Sequence, residues 1–305
     1  MWERVKKIFT YFMVPFNLIA GVFSVYSAAT AITDNIFWIV IVVVAVLGLC
    51  GSIGIIIDKA YKPLSDKVVG LSEGYTAIAE KYKSESLKLK FDFFNAGYYN
   101  KNNLKTFKRE ILEGCYYLVS DIKNVIQNAL GKKVRVCIKM FHEDSNELLF
   151  TYCRDEYTID ESIKKEHNQK IDVTKNSDFF DILNGNKDIF IGGDLKKDYR
   201  ENKYHNTSRD FKYSSTVVVP IRALIYEVGA DEDNEKLYYD NIGFLCVDSR
   251  HAHLFSSKQA QMCIDLIQAT AHFLYMFISQ GNEYYELLKD FMEGAYEDVQ
   301  QKSTK

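Results

Sequence analysis

Paired cysteines and the signatures of familiar catalytic centres are missing from this chain of 305 residues. Its six cysteines stand singly, with no C-x-x-C pair, which argues against a disulfide framework or a structural zinc and is typical of a reducing cytosol. No Gly-x-Ser-x-Gly or kinase-type set occurs. Gly192-Gly193 is not followed by the Gly-Lys-Ser/Thr of a phosphate loop. The sequence therefore predicts a protein that is not an enzyme and that carries no cofactor.

An excess of positive charge is also missing. The chain has 38 Lys and Arg against 41 Asp and Glu, a formal net charge of -3. A protein that neutralises many phosphates normally shows a basic face, so nucleic acid is not an expected partner. His251 and His253 follow Asp248 closely, but this is turn spacing without a further ligand, so no metal site is predicted.

Long apolar runs, by contrast, dominate the N-terminus. Residues 8–32 and 36–57 contain no Asp, Glu, Lys or Arg, and only residues 33–35 separate them. A bilayer core of roughly 30 Å needs about 20 helical residues, and both runs are long enough. Because a helix satisfies its own backbone hydrogen bonds in lipid, the pattern predicts a transmembrane helical hairpin.

The flanking charges orient this hairpin. Lysine and arginine cluster before the first run and after the second but are absent between them, which places both termini in the cytoplasm and the protein in the inner (plasma) membrane. A cleaved signal peptide ending near Ala29-Thr30-Ala31 is the alternative interpretation. The first run is much longer than the core of a signal peptide, and a second run follows at once, so we favour the uncleaved hairpin.

The remaining chain divides into three parts: a linker helix at 59–99, a domain at 100–280, and a C-terminal helical extension and tail at 281–305. Pro63 lies where a helix could end or restart. An apolar seam with steps of three and four residues follows, made of Val68, Leu71, Tyr75, Ile78 and Tyr82. This seam either packs on its own domain or pairs with a second subunit.

Within the domain, periodicity predicts helices at 100–130, at 178–183 with Ser177 as its cap, and from Phe255 onward with an interruption at Gly281. Strands are predicted at 134–141, 148–154, 188–191, 213–226 and 242–248. Residues 194–211 show no pattern of regular structure. The acidic stretch 227–240 is predicted to form an exposed hairpin tip. The expected fold class is α+β, an antiparallel sheet with flanking helices.

Three motifs in this order resemble the GAF domain family over roughly residues 100–278. They are the Pro-ended strand Ser-Ser-Thr-Val-Val-Val-Pro-Ile at 214–221, the strand led by Gly243, and Phe255 before the last helix. The resemblance implies a small-molecule pocket between the sheet and its helical cover, or a dimerising sensory module. The chain lacks the Asn-Lys…Phe…Asp-Glu signature of the cyclic-nucleotide branch and the Cys-His of the bilin branch. The sequence therefore predicts neither a cyclic nucleotide nor a bilin as the ligand.

If a pocket exists, its expected rim is a loop that combines cations with aromatic rings. Arg can hold a phosphate or carboxylate at two points and a ring can stack on a base, so the loop would suit a nucleotide-like or acidic ligand. An ordinary solvated loop is the alternative. The candidate ligand-binding residues are Tyr199, Arg200, Tyr204, His205, Arg209, Phe211 and Tyr213.

The sequence thus predicts a membrane-anchored cytosolic sensory module of GAF type that binds a small ligand or forms a homodimer or higher oligomer, without catalysis. The alternative is a ligand-activated effector that makes the membrane leaky when its hairpins oligomerise. That architecture is similar to nucleotide-activated effectors of bacterial anti-phage systems. Small residues in both apolar runs allow close helix packing, within one hairpin or between hairpins.

Overall fold

The computed structural model describes residues 35–95, 101–142, 145–155, 170–207, 212–228 and 235–303. The chain forms two compact units, Met1–Val69 and Gly70–Lys305. The first predicted membrane span, residues 8–32, lies outside the described residues. The second, residues 36–57, lies within helix α1, Asn35–Asn95. The hairpin is therefore not shown and stays a prediction.

A membrane-length apolar segment also occurs at the other end of the chain. Within the residues that the structure describes, Ala260–Met292 is long and apolar enough to cross a bilayer, and half of its most apolar window is buried. The core helix of a soluble domain has the same properties. This segment therefore carries only weak evidence for a membrane.

Three long helices form one layer of the second unit. They are the part of α1 from Gly70 onward, α2 (Lys101–Leu130) and α5 (Lys258–Ser303). On α1, Leu71, Ile78 and Leu89 are buried, and the ring of Tyr82 stacks on Phe273 of α5 at 5.1 Å between centroids. The predicted linker helix thus packs on its own domain along this seam.

The sheet forms the second layer. Its six strands are β1 (Val134–His142), β2 (Ser145–Arg154), β3 (Ile171–Asp172), β4 (Phe190–Gly192), β5 (Ser215–Val228) and β6 (Glu235–Ser249). Their order is β3-β2-β1-β6-β5-β4, and every neighbouring pair is antiparallel. The predicted α+β class with an antiparallel sheet and flanking helices is confirmed.

Short helices connect these strands. A 3₁₀ turn, Val173–Lys175, leads into α3 (Ser177–Leu183), α4 spans Leu195–Arg200, and a second 3₁₀ turn, Leu254–Ser256, precedes α5. α4 begins at an Asp194 cap, whose carboxylate accepts from the Lys197 backbone N–H at 3.2 Å. The prediction of no regular structure across 194–211 is therefore wrong at α4, where a single capping side chain stabilises six helical residues.

The sheet has two differently covered faces. The face that packs on α2 and α5, the first face, carries β-branched and leucine side chains that are fully or almost fully buried. Alternation along each strand sends every second residue to this side. Its buried strand residues include Val134, Val136, Ile138, Val217, Val219, Ile221, Leu245 and Val247. The opposite side, the second face, is covered by α3, α4 and the segment that follows them.

Three local predictions need correction. α5 is continuous across Gly281. The glycine instead lets α2 and α5 approach closely, because a Cβ at this position would lie only 2.8 Å from Ile111 Cδ1. α1 is likewise continuous through Pro63, although proline forgoes one helical hydrogen bond. Asn176, not Ser177, caps α3, and Ser177 is the first helical residue.

Candidate functional site

The second face brings charged and sulfur-bearing side chains together at the centre of the sheet. Arg135, Cys137 and Lys139 alternate along β1, so their side chains leave the sheet on the same side. Their register partners on the neighbouring strand β6 are Asp248, Cys246 and Phe244, respectively. On the other flank, Arg154 of β2 is paired with Cys137. On the next strand, Thr216 of β5 is paired with Asp248.

Two contacts between α3 and the segment after α4 hold the cover on this face. Ser177 Oγ accepts from the His205 backbone N–H at 2.8 Å, and the Ser177 N–H donates to the His205 carbonyl at 3.0 Å. The buried Asn176 Oδ1 accepts from the Thr207 backbone N–H at 3.1 Å and from its hydroxyl at 3.2 Å. These contacts position Tyr204, the residue before His205, against the sheet.

Tyr204 is the centre of a hydroxyl network under this cover. It is only 1% exposed, and its hydroxyl donates to Asp178 Oδ2 at 3.1 Å. The amide nitrogen of Asn206 donates to the hydroxyls of Tyr204 and Tyr213, at 2.9 and 3.0 Å. The two tyrosine hydroxyls are themselves 3.4 Å apart. Burial raises the pKa of both tyrosines, so they stay protonated and can donate a hydrogen bond.

Asp178 contributes a carboxyl group in a nearly dry environment. Burial raises the pKa of this carboxyl to about 6, although the Lys139 ammonium and the Tyr204 hydroxyl partly oppose the change. Its Oδ1 also accepts from the Phe179 backbone N–H at 3.1 Å. Asp178 can therefore change its protonation state close to neutral pH, which is unusual for an aspartate.

A second carboxyl, Asp248, lies buried at the end of β6. Burial raises its pKa, against the hydrogen bond from Thr216 and the charges of Arg135, Arg154 and Lys139. The Thr216 hydroxyl donates to Asp248 Oδ1 at 2.7 Å. Three cations of the second face thus act on the Asp248 carboxyl, and one of them, Lys139, also acts on Asp178.

The structure separates the predicted rim residues. It brings Tyr204 and Tyr213 together in the hydroxyl network. Tyr199 packs against the apolar cluster of the second face. Arg200 is exposed and its Nε donates to the Lys196 carbonyl of its own helix at 3.2 Å, while the His205 side chain is exposed. Arg209 and Phe211 lie outside the described residues.

Sequence reasoning missed the charged residues that come from the strands. Arg135, Lys139 and Arg154 occupy positions that alternate with apolar ones, which is the pattern of a solvated sheet face. Only the cover formed by α3 and α4 converts these positions into a site. The weak signal in the sequence is Cys137, a residue type that prefers burial, standing between the two cations of β1.

Groups suited to metal binding are not brought together in the part of the chain that the structure describes. Asp248 points into the second face, whereas His251 and His253 are exposed in the turn beyond β6. His253 adopts a left-handed conformation, with φ 58°. The arrangement on the second face is instead suited to binding an anion and to moving a proton through Asp178.

No protein-family model matches the chain, and no curated protein does. Solved structures resemble it in fold. The GAF domain of an Acinetobacter phosphoenolpyruvate-protein phosphotransferase is 14% identical and has a TM-score of 0.37, with 59% of this chain and 92% of that chain covered. The blue-light-absorbing PixJ GAF domain of Thermosynechococcus elongatus is 13% identical with a TM-score of 0.32, covering 63% and 95% of the two chains. Both of these similar structures are GAF domains, the family that the sequence motifs resemble.

A third similar structure changes one prediction. The free methionine-R-sulfoxide reductase of Neisseria meningitidis, solved with its substrate, is 14% identical and has a TM-score of 0.36, with 58% of this chain and 90% of that chain covered. That similar structure is an enzyme. The prediction that the chain is not an enzyme, made from missing motifs, is wrong as a conclusion, because those motifs do not cover the chemistry that the fold can carry.

Proposed function

We propose that the second unit is a ligand-binding regulatory module that takes an acidic small molecule on its second face. The observation that carries this proposal is the grouping of Arg135, Lys139 and Arg154 with Asp178 and Asp248 beneath α3 and α4. Because each of the three cations keeps part of its surface exposed, an anion from solution can reach them.

The chemical class of the ligand follows from the groups around it. Two arginines offer planar, two-point hydrogen bonding to a carboxylate or phosphate, and Lys139 adds a point charge. An aromatic ring lies beside one of the cations, since Lys139 Nζ is 5.6 Å from the centroid of Phe179. A nucleotide-like acid, with a charged group and a planar ring, fits these features best.

A titration of the full chain in detergent with a panel of nucleotides and small organic acids, followed by thermal shift and calorimetry, tests this assignment. Lys139→Met should weaken the binding of a confirmed ligand at least about tenfold, since one charge-assisted hydrogen bond is lost. Arg200→Ala, on exposed α4, is the matched control and should leave affinity unchanged. The opposite result would put the acid on the predicted loop rim and not on the sheet face.

We also propose that this module is tethered to a membrane by the N-terminal apolar runs, with both termini in the cytoplasm. The uncharged run of residues 36–57 lies within one helix, which supports a spanning segment. Resistance of the full chain to carbonate extraction, lost on deleting residues 1–58, tests the tether. Ligand-dependent dye leakage from vesicles that contain the full chain would favour the effector alternative, and leakage-free vesicles under a confirmed ligand would contradict it.

A further inference from the structure

Two cysteines that are 109 positions apart in the sequence lie directly opposite each other on the second face. Cys137 of β1 and Cys246 of β6 are register partners in the antiparallel pair. Both side chains belong to the same apolar cluster, and both residues are nearly buried, with 2% and 3% of their surface exposed. Their side chains therefore leave the sheet on the same side and face each other across the two strands.

This placement meets the geometric requirement for a disulfide. Directly opposed residues of antiparallel strands have Cα atoms about 4.5 or about 5.5 Å apart. Disulfide-bonded cysteines span about 4.4 to 6.8 Å between Cα atoms, so either kind of pair can close without a shift of the backbone. In the structure both cysteines are free thiols.

The surroundings make the two thiols unequal. Arg154 Nη2 donates to Cys137 Sγ at 3.9 Å, and Lys139 lies two residues farther along the same face. The hydrogen bond from Cys246, with the charges of Arg154 and Lys139, lowers the pKa of Cys137 against the effect of burial. Burial raises the pKa of Cys246, so that thiol keeps its proton and is the donor. Cys137 is therefore the better nucleophile of the two.

Three other buried cysteines belong to the core between the first face and the long helices. They are Cys115, Cys153 and Cys263. Burial raises the pKa of Cys115 and of Cys153. The second face is also more accessible, since Arg135, Lys139 and Arg154 each keep part of their surface exposed beside Cys137.

We propose that Cys137 and Cys246 form a dithiol site that hydrogen peroxide oxidises to a disulfide, a role independent of the ligand proposed above. The Cys137 thiolate attacks one peroxide oxygen, an S–O bond forms, the O–O bond breaks, and the departing hydroxide takes up a proton to become water. The Cys246 sulfur then attacks the Cys137 sulfenic acid, an S–S bond forms, and the hydroxyl leaves as a second water with the Cys246 proton. Two thiols lose two electrons, and the peroxide gains them.

Peptide mapping of the full chain after exposure to hydrogen peroxide and alkylation of the remaining thiols tests the site. The expected product is a cross-linked peptide pair containing Cys137 and Cys246, two hydrogen atoms lighter than the separate peptides. It should form at least about tenfold faster than any oxidation at Cys153, because only thiolates react at an appreciable rate. Peroxide that oxidises Cys153 first, or leaves both second-face thiols open to alkylation, would overturn the proposal.

Three variants separate the roles of the two thiols. Cys246→Ser should stop the reaction at a Cys137 sulfenic acid that dimedone traps, while Cys137→Ser should abolish both the cross-link and the dimedone adduct. Cys153→Ser, a buried cysteine of the first face, is the matched control and should leave the cross-link intact. Dimedone labelling at position 246 in place of 137 would reverse the assigned order of attack and contradict the site as stated.

Discussion

The two faces of one sheet carry opposite chemistry. On the first face, the inward residues of β1, β5 and β6 are valine, isoleucine and leucine, packed against α2 and α5. On the second face, the same strands present Arg135, Lys139, Cys137 and Asp248 under two short helices. Because strand alternation assigns neighbouring residues to opposite sides, one strand serves both purposes. The difference separates an apolar packing surface from a polar surface within a single strand.

The two faces also differ in how their covers are held. Helices α2 and α5 interlock closely: Gly281 leaves room for Ile111, and Gly114 faces the ring of Phe277. The cover of the second face depends instead on side-chain hydrogen bonds from Ser177, Asn176 and Tyr204. Each such bond contributes on the order of 1 kcal/mol, so the second cover is easier to perturb locally.

The largest expected effect tests the apolar side of this comparison. Phe277→Ala should lower the free energy of unfolding of the full chain by about 3–5 kcal/mol, because it leaves a cavity against α2 in a core position that is 1% exposed. Phe291→Ala, on the same helix but 57% exposed, is the control and should change stability by less than about 0.5 kcal/mol. Urea denaturation compares them. Equal losses would mean that α5 does not pack as described.

The pH dependence of stability tests the polar side. The pKa of Asp178 is about 6 in the folded protein against an ordinary value of 3.8, so its contribution to stability is fully present below about pH 4 and is lost as pH rises through 6. The loss amounts to about 3 kcal/mol. Asp178→Asn should remove this pH-dependent loss of stability, so at pH 8 the variant should be more stable than the unaltered chain. Urea denaturation between pH 4 and pH 8 measures the difference.

The control for this change is Asp265→Asn, which removes an exposed carboxylate on α5. If Asp178→Asn followed the pH profile of the unaltered chain, burial of the Asp178 carboxyl would not be the source of the dependence.

A single hydroxyl tests the network under the cover. Tyr204→Phe should cost about 1–2 kcal/mol, because Asp178 and Asn206 lose a buried hydrogen-bond partner. Tyr238→Phe, at a position that is 41% exposed on β6, should change stability by less than about 0.5 kcal/mol. Thermal denaturation of the two variants side by side distinguishes them, and identical midpoints would argue against the network.

The smallest expected effect concerns α4 alone. Asp194→Ala removes the capping carboxylate and should cost about 1 kcal/mol locally, which lowers amide-exchange protection of Leu195–Arg200 about fivefold. Asp194→Asn should restore most of the protection, since asparagine caps as well as aspartate. Protection in α2 should stay the same in both variants. A parallel loss there would show that the two covers unfold together.

The periodic parts of the chain were predictable. The seven-residue spacing of Leu104, Ile111 and Leu118 predicted α2 almost to its ends, and alternation from Val134 predicted β1. Local chemistry was predicted less well. Gly281 suggested a break because glycine weakens a helix, but its lack of a Cβ serves a close helix contact. The six residues of α4 were missed because one capping side chain is a weak signal in a charged stretch.

The sequence by itself determined which residues alternate, where the long helices lie and which class of fold results, because burying apolar faces permits few arrangements of such elements. Only the tertiary structure decided the site. The register of β1 and β6 places Cys246 opposite Cys137 and Asp248 opposite Arg135. Contacts between α3 and residues 204–207 shield the Asp178 carboxyl from water. Pairings between segments about a hundred residues apart have no local signal, since they exist only once the strands are side by side.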